Sequence, residues 1–192
     1  MRKLQSHSSL PENYVLDYSI NLDTDKKMMI LLNVMSLVMI LPFALGIILY
    51  NIFSQSAFEF RLYLTDALIT VVGFLVIIMI HEFIHGIFFK LGTDEKVNYK
   101  FHIYAFSASV KGVYFYKKHY LLTGLAPFII ITPILILLMF LLPAYAYMIY
   151  LVIAIHTSGC IGDFYVAYKV LKYPKEALIE DYGVGMNIYK KQ

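Results

Sequence analysis

Two histidines and a glutamate stand close together in the segment His81-Glu82-Phe83-Ile84-His85. Residues four apart share one face of an α-helix, so both imidazoles can bind one zinc ion. Glu82 lies beside them, where it can act as the general base that activates water. The segment therefore predicts a zinc site with His81 and His85 as metal ligands and Glu82 as the catalytic residue.

This segment interrupts a long apolar run, which is unusual for a metal site of a soluble protein. Residues 71–80 and 86–89, on either side, contain no charged residue. The chain of 192 residues is 60% hydrophobic with a mean hydropathy of +0.69, against about 45–50% apolar residues in ordinary globular domains. Ionisable side chains inside a membrane are costly and usually functional, so the setting strengthens the metal-site hypothesis.

Four apolar segments are long enough to cross a bilayer, which takes about 20 residues. They cover residues 28–50, 67–89, 122–142 and 145–170. The last two are separated only by Leu142-Pro143-Ala144 and so form a helical hairpin, and Pro127 and Pro133 are candidate kink positions in the third. The prediction is an α-helical membrane protein with four transmembrane helices, folded as a single domain over residues 1–192.

The basic residues predict how these spans are oriented. Four of the 16 Lys and Arg residues precede the first span, six lie between the second and third, and five stand at the end of the fourth or beyond it. Only Arg61 falls between the first and second spans. Because basic residues favour the cytoplasmic side, we expect a multi-pass protein of the cell membrane with both termini in the cytoplasm.

The segment between the second and third spans has the pattern of β-structure. Apolar and polar residues alternate over residues 97–104, and a second aromatic and β-branched run covers 110–116. Ser107-Ala108-Ser109 separates the two runs and is the expected turn. This pattern predicts a small cytoplasmic β-hairpin between the second and third spans.

A catalytic zinc ion usually has three protein ligands, so a third must come from elsewhere. One known extension of the His-Glu-x-x-His motif has a third histidine at the position that Leu91 occupies here. That extension is therefore excluded. Asp163 is the best candidate: it stands six residues before Lys169, as His85 stands five before Lys90. At about 1.5 Å per residue, the two side chains lie at matching depths in parallel spans. A carboxylate paired with Lys169 or with a helix terminus is the alternative for Asp163.

Other residues near Asp163 are open to two interpretations. Gly159 and Gly162 are expected to let another helix approach closely. His156 is expected on the same helix face, about two turns toward the outside, as an accessory residue or as a neutral histidine hydrogen-bonded between helices. His102 and His119 are expected in loops, with His102 as a fallback ligand, and Cys160 is expected to be a small packing residue.

These residues resemble a bacterial family of putative zincin membrane peptidases, and more distantly the site-2 protease group of intramembrane metalloproteases. The residues that carry the resemblance are His81, Glu82, His85, Asp163 after Gly162, Leu10-Pro11 and Glu180-Asp181-Tyr182-Gly183-Val184-Gly185. Site-2 proteases place their third ligand in a Leu-Asp-Gly motif, whereas this chain has Ile161-Gly162-Asp163-Phe164.

The resemblance implies zinc-assisted hydrolysis of peptide bonds in a membrane protein or peptide, with Glu82 taking a proton from water and passing it to the leaving amine. The expected partners are the lipid bilayer and that substrate, with no nucleic acid, and an oligomer is left open. Two alternatives are a non-enzymatic zinc-binding membrane subunit or sensor and a small transporter. The first would keep His81, His85 and Asp163 but would not need Glu82.

Overall fold

The computed structural model describes residues 6–53, 64–102 and 105–192. The described chain is mostly helical and carries two small antiparallel sheets. The helices are α1 Lys26–Phe53, α2 Leu64–Gly92, α3 Lys117–Leu141, α4 Ala146–Gly159 and α5 Ile161–Leu171, with a 3₁₀ turn at Pro143–Tyr145. The strands are β1 Ser6–His7, β2 Tyr14–Asn21, β3 Asn98–His102, β4 Ala105–Ser109, β5 Tyr114–Tyr116, β6 Leu178–Asp181 and β7 Gly185–Lys191.

Three described helices are long and apolar enough to cross a membrane, at Lys26–Tyr50, Ala67–Gly92 and Lys117–Leu141. They correspond to the first three predicted spans. The third contains Pro127 and Pro133 and is assigned as one helix. Arg61, the basic residue between the first and second predicted spans, lies outside the described residues.

The predicted fourth span, residues 145–170, is wrong as a single continuous helix. It consists of a helical pair, Pro143–Gly159 and Ile161–Leu171, bent by 41°. The break is at Cys160, whose backbone angles (φ −72°, ψ 2°) leave the helical region. Glycines flank it at positions 159 and 162, and glycine favours the helix least of all residues except proline. If the pair counts as one span, the described chain has four.

The larger sheet has five strands in the order β1-β5-β6-β7-β2, and all neighbouring pairs are antiparallel. It joins both terminal segments to the middle of the chain, which the sequence pattern did not predict. Alternate residues of β7 point inward, so that Met186 and Ile188 are fully buried. They pack with Phe89 of α2 and Val170 of α5 in one core, which fixes the C-terminal ends of these helices to the sheet.

The predicted β-hairpin is present but its boundaries are wrong. β3 pairs with β4 so that Asn98 faces Ser109; Ser107-Ala108-Ser109 is therefore strand and not the predicted turn. Residues 103–104, between the two strands, lie outside the described residues. The second predicted run contributes β5 to the other sheet instead. Gly112 lies between β4 and β5, and its φ of +69° is one that glycine adopts easily.

A second core lies between the helices and contains Ile84, Ala126, Ile131, Leu135, Val152 and Ile153. α2 contributes to both cores, through Ile84 here and through Phe89 at the sheet. The segment with the two histidines lies where the cores meet, so packing on both sides fixes its position.

Candidate active site

The two histidines of α2 point to one place. Their Nε2 atoms are 3.0 Å apart, with the rings edge to face. His85 Nδ1 lies 2.9 Å from the backbone oxygen of Thr123 in α3. A carbonyl only accepts hydrogen bonds, so Nδ1 of His85 carries the proton and Nε2 keeps a lone pair. His85 is thus held in the tautomer that a metal ligand needs.

Asp163, in the first turn of α5, faces this pair. Its Oδ2 is 3.2 Å from His81 Nε2, and its Oδ1 is 3.5 Å from His85 Nε2. The structure therefore brings together the three side chains that the depth argument put at one level. Lys169, the alternative partner of Asp163, has its ammonium over the rings of Tyr18 and Tyr165.

The separations of these donor atoms fit a zinc ion. Zinc has Zn–N and Zn–O bonds of about 2.0–2.2 Å in tetrahedral sites, which puts ligand atoms about 3.3–3.5 Å apart. The observed distances of 3.0, 3.2 and 3.5 Å lie close to that range. Two imidazole nitrogens and a carboxylate also form a donor set typical of catalytic zinc, and a cation offsets the repulsion among such electron-rich atoms.

Glu82 is buried beside the histidines with one oxygen fixed. Its residue is 9% exposed, and Oε2 accepts a hydrogen bond of 2.8 Å from the backbone N–H of Ala108 in β4. The strand therefore helps to orient the carboxylate. No described residue donates a hydrogen bond to Oε1.

His156 is closer to the site than predicted. Its Nε2 is 3.3 Å from His81 Nδ1, a contact between α4 and α2. The Cys160 Sγ is 3.8 Å from His156 Nε2 and 4.0 Å from His81 Nδ1. Cys160 is fully buried, as a packing residue would be, and it also forms with the two histidines a second group whose spacing could hold a metal.

Two further expectations differ from the structure, and a third, for His102, falls outside it. A Cβ added at Gly159 or Gly162 would meet nothing within 4 Å, so these glycines do not serve close helix packing. His119 lies in α3, not in a loop, and is buried with its ring stacked on Phe115. The side chain of His102 lies outside the described residues.

A cavity of about 160 Å³ opens beside Glu82, His85 and Asp163. Its wall includes Asp181, at the end of β6, which sequence analysis did not single out. Asp181 Oδ2 accepts a hydrogen bond of 2.5 Å from Tyr120, and Oδ1 accepts one from the N–H of Gly183 at 2.8 Å. Burial raises the pKa of the Asp181 carboxyl to about 6. The sequence feature that could have identified Asp181 is the segment around Gly183, which carried part of the family resemblance.

Comparison with known proteins gives one match. A family model described as "Putative zincin peptidase" matches residues 74–178, more than half of the chain. The matched segment contains His81, Glu82, His85 and Asp163 but ends before Asp181. No curated protein and no solved structure matches the chain.

Proposed function

The chain belongs to the "Putative zincin peptidase" family, and we propose that it is a zinc metallopeptidase of the membrane that hydrolyses peptide bonds of a membrane protein or peptide. One observation carries the proposal. The Nε2 atoms of His81 and His85 and the carboxylate of Asp163 lie within 3.5 Å of one another, with the Glu82 carboxylate on the neighbouring position of the same helix.

His81, His85 and Asp163 would hold the zinc ion. When bound, zinc polarises the scissile carbonyl and makes water more acidic. The Thr123 carbonyl keeps the proton of His85 on Nδ1, and His156 Nε2 is placed to do the same for Nδ1 of His81. Such outer hydrogen bonds orient metal-binding imidazoles and raise their basicity.

Glu82 would move the proton. The Ala108 N–H holds Oε2, so Oε1 is the oxygen we expect to take a proton from water and deliver it to the leaving amine. Burial beside the histidines excludes bulk water from this carboxylate.

A membrane location is supported by the helix surfaces. Leu37 of α1 is 66% exposed, Leu41 is 62% and Phe140 of α3 is 74%. Continuous apolar surface of this kind is rare on soluble monomers and is typical of lipid contact. With the basic residues on one side, both termini and the sheets would face the cytoplasm, and the proposed site would lie near the cytoplasmic ends of α2 and α5.

β4 is the element we expect a substrate to contact first. Phe106, Ser107 and Ala108 of this strand line the cavity, while its other edge pairs with β3. An unwound stretch of substrate could lie beside β4 as an added strand, at positions other than the Ala108 N–H that Glu82 already accepts from.

A second candidate, a non-enzymatic zinc-binding subunit or sensor, is favoured by the donor group of His81, His156 and Cys160. A thiol and two imidazoles suit a structural metal site as well as a catalytic one. This candidate gives Glu82 no role.

The Glu82→Gln variant separates the two. It is nearly isosteric, so zinc content and folding should match the parent. Removal of a general base should lower peptide cleavage by about 10²- to 10⁴-fold, measured on purified protein in micelles with a quenched fluorescent peptide library. Cleavage at the parental rate would refute the mechanism. If the parent cleaves nothing while binding zinc, the non-enzymatic candidate is favoured.

A further inference from the structure

The cavity next to the proposed zinc site is strongly acidic. Its described lining contains three carboxylates, those of Glu82, Asp163 and Asp181, and no Lys or Arg. If the proposed function holds, a divalent zinc ion offsets the charges of Glu82 and Asp163. The charge of Asp181 is then left without compensation.

The surroundings of Asp181 do not supply the missing positive charge. Its two hydrogen-bond donors among the described residues, the Tyr120 hydroxyl and the Gly183 N–H, are neutral. Within the described part of the chain, no Lys or Arg forms an ion pair with it; the only such lysine pair joins Lys190 and Asp17 on the surface. A charge removed from bulk water without a counter-charge is unfavourable, so a cationic ligand would be bound here with a net gain.

A second feature of the cavity also indicates an absent polar partner. Ser107, on the wall formed by β4, is 7% exposed, and its hydroxyl has no hydrogen-bond partner among the described residues. Buried hydroxyls are usually hydrogen-bonded, and an ammonium or guanidinium group could donate to this one.

The remaining wall fits a long aliphatic stem. Leu22, Leu32 and Met186 line the cavity together with Ile20 and Val184. Lysine and arginine side chains place their methylene groups along apolar surface and their charge at a polar end. The combination of apolar wall and carboxylate matches that shape.

We propose that Asp181 binds the ammonium or guanidinium group of a substrate lysine or arginine, and so makes the enzyme select peptide bonds near a basic side chain. This rests on the proposed peptidase function. Membrane proteins carry such residues mainly at the cytoplasmic ends of their helices, which is the side on which the site lies. The same cationic chemistry is offered by a peptide N-terminus, and the experiment separates the two sources.

The first measurement uses the full zinc-loaded chain in micelles and needs no variant. n-Butylguanidinium should raise the melting temperature, whereas n-butylurea, its neutral counterpart of equal shape, should not. Equal effects of the two compounds overturn the proposal. Because no cleavage is involved, this result stands even if the protein proves not to be a peptidase.

The second measurement compares N-acetylated peptides that differ only by lysine or norleucine at one position. Bonds near lysine should be cleaved with kcat/KM about 10- to 100-fold higher, the range expected for a hydrogen bond to a charged group. A preference that follows a free N-terminus instead of the side chain, or no preference at all, overturns the assignment. If no peptide is cleaved, the proposed function fails and the butylguanidinium test alone decides whether the pocket binds cations.

Asp181→Asn should bring the two peptides to the same rate and abolish the effect of butylguanidinium, with zinc content unchanged. Asp17→Asn is the matched control, because Asp17 pairs with Lys190 away from the cavity. This variant should keep both the preference for lysine and the stabilisation by butylguanidinium. A purely structural role for Asp181 would lower the melting temperature of the Asn variant but leave the lysine preference intact.

Discussion

The carboxylate of Asp163 lies 3.2 Å from Nε2 of His81, although the two residues belong to different helices, α5 and α2. The contact depends on the bend of 41° at Cys160, after which α5 starts a new helix with Asp163 in its first turn. A break between two apolar helices thus helps to place a charged side chain where it has partners.

Replacement of Asp163 should test its role as a ligand. Asp163→Ala should weaken zinc binding by more than the 10- to 100-fold that loss of an outer hydrogen-bond partner usually costs, as should His81→Ala and His85→Ala. The measurement is a competition titration with a chromophoric chelator. His7→Ala, at the edge of the five-stranded sheet, is the control and should bind zinc like the parent. Equal zinc affinity of Asp163→Ala and the parent would remove Asp163 from the ligand set.

The local part of this site could be predicted from sequence. The spacing of four residues predicted that His81 and His85 lie together. The number of residues from His85 to Lys90, and from Asp163 to Lys169, predicted that Asp163 lies at the same depth. The position of His156 could not be predicted, because it depends on a bend that only two glycines and the packing of α4 indicate.

The five-stranded sheet was less predictable for a physical reason. β1, β5 and β6 are short, and most pairings join segments far apart in the sequence, such as β2 with β7. Short strands have weak periodicity, and pairing over such distances is decided by the common core of Phe89, Met186 and Ile188. Asp181 was missed with the sheet, since its position next to the site follows from the pairing of β6.

The orientation can be tested by cysteine labelling in a Cys160→Ala background. An impermeant maleimide should modify Ser56→Cys in intact cells, because the proposed topology puts residues 54–63, between the first two spans, outside the cell. Glu95→Cys, in the exposed segment after α2, should react only after the cells are permeabilised. The reverse pattern would contradict the proposed topology.

Gly183 should be much less tolerant of substitution than Gly112. Both have positive φ, +95° and +69°, but a Cβ on Gly183 would lie 2.8 Å from Ser107 Oγ, whereas one on Gly112 would meet nothing within 4 Å. Gly112→Ala should cost about 1–2 kcal/mol of unfolding free energy, and Gly183→Ala clearly more. Thermal or denaturant unfolding in micelles measures both. Adding Ser107→Gly to Gly183→Ala should restore part of the loss; an unchanged melting temperature would mean that the contact is not the cause.

Asp181 should make the parent less stable as the pH rises from about 4 to 6. Its folded pKa is about 6 because burial disfavours the charge, whereas an ordinary Asp titrates near 3.9. As the pH rises, the unfolded chain therefore releases its proton before the folded chain does. The free energy of unfolding falls over this range by an amount on the order of 1–3 kcal/mol. Asp181→Asn should lack this loss, so its melting temperature should exceed that of the parent at pH 7.5 but not at pH 4. Parallel pH profiles of the two proteins would show that the carboxyl is not perturbed.

X-ray absorption at the zinc edge of the purified, zinc-loaded chain tests the central claim most directly, since it distinguishes the two donor groups that share His81. Sulfur ligands lie near 2.3 Å from zinc, and nitrogen or oxygen ligands near 2.0–2.2 Å. We predict one zinc per chain with two imidazoles and oxygen ligands and no sulfur, and a spectrum unchanged in Cys160→Ala. A sulfur shell that disappears in Cys160→Ala would contradict the account, because it would place the metal on His81, His156 and Cys160 and leave Asp163 and Glu82 without their proposed roles.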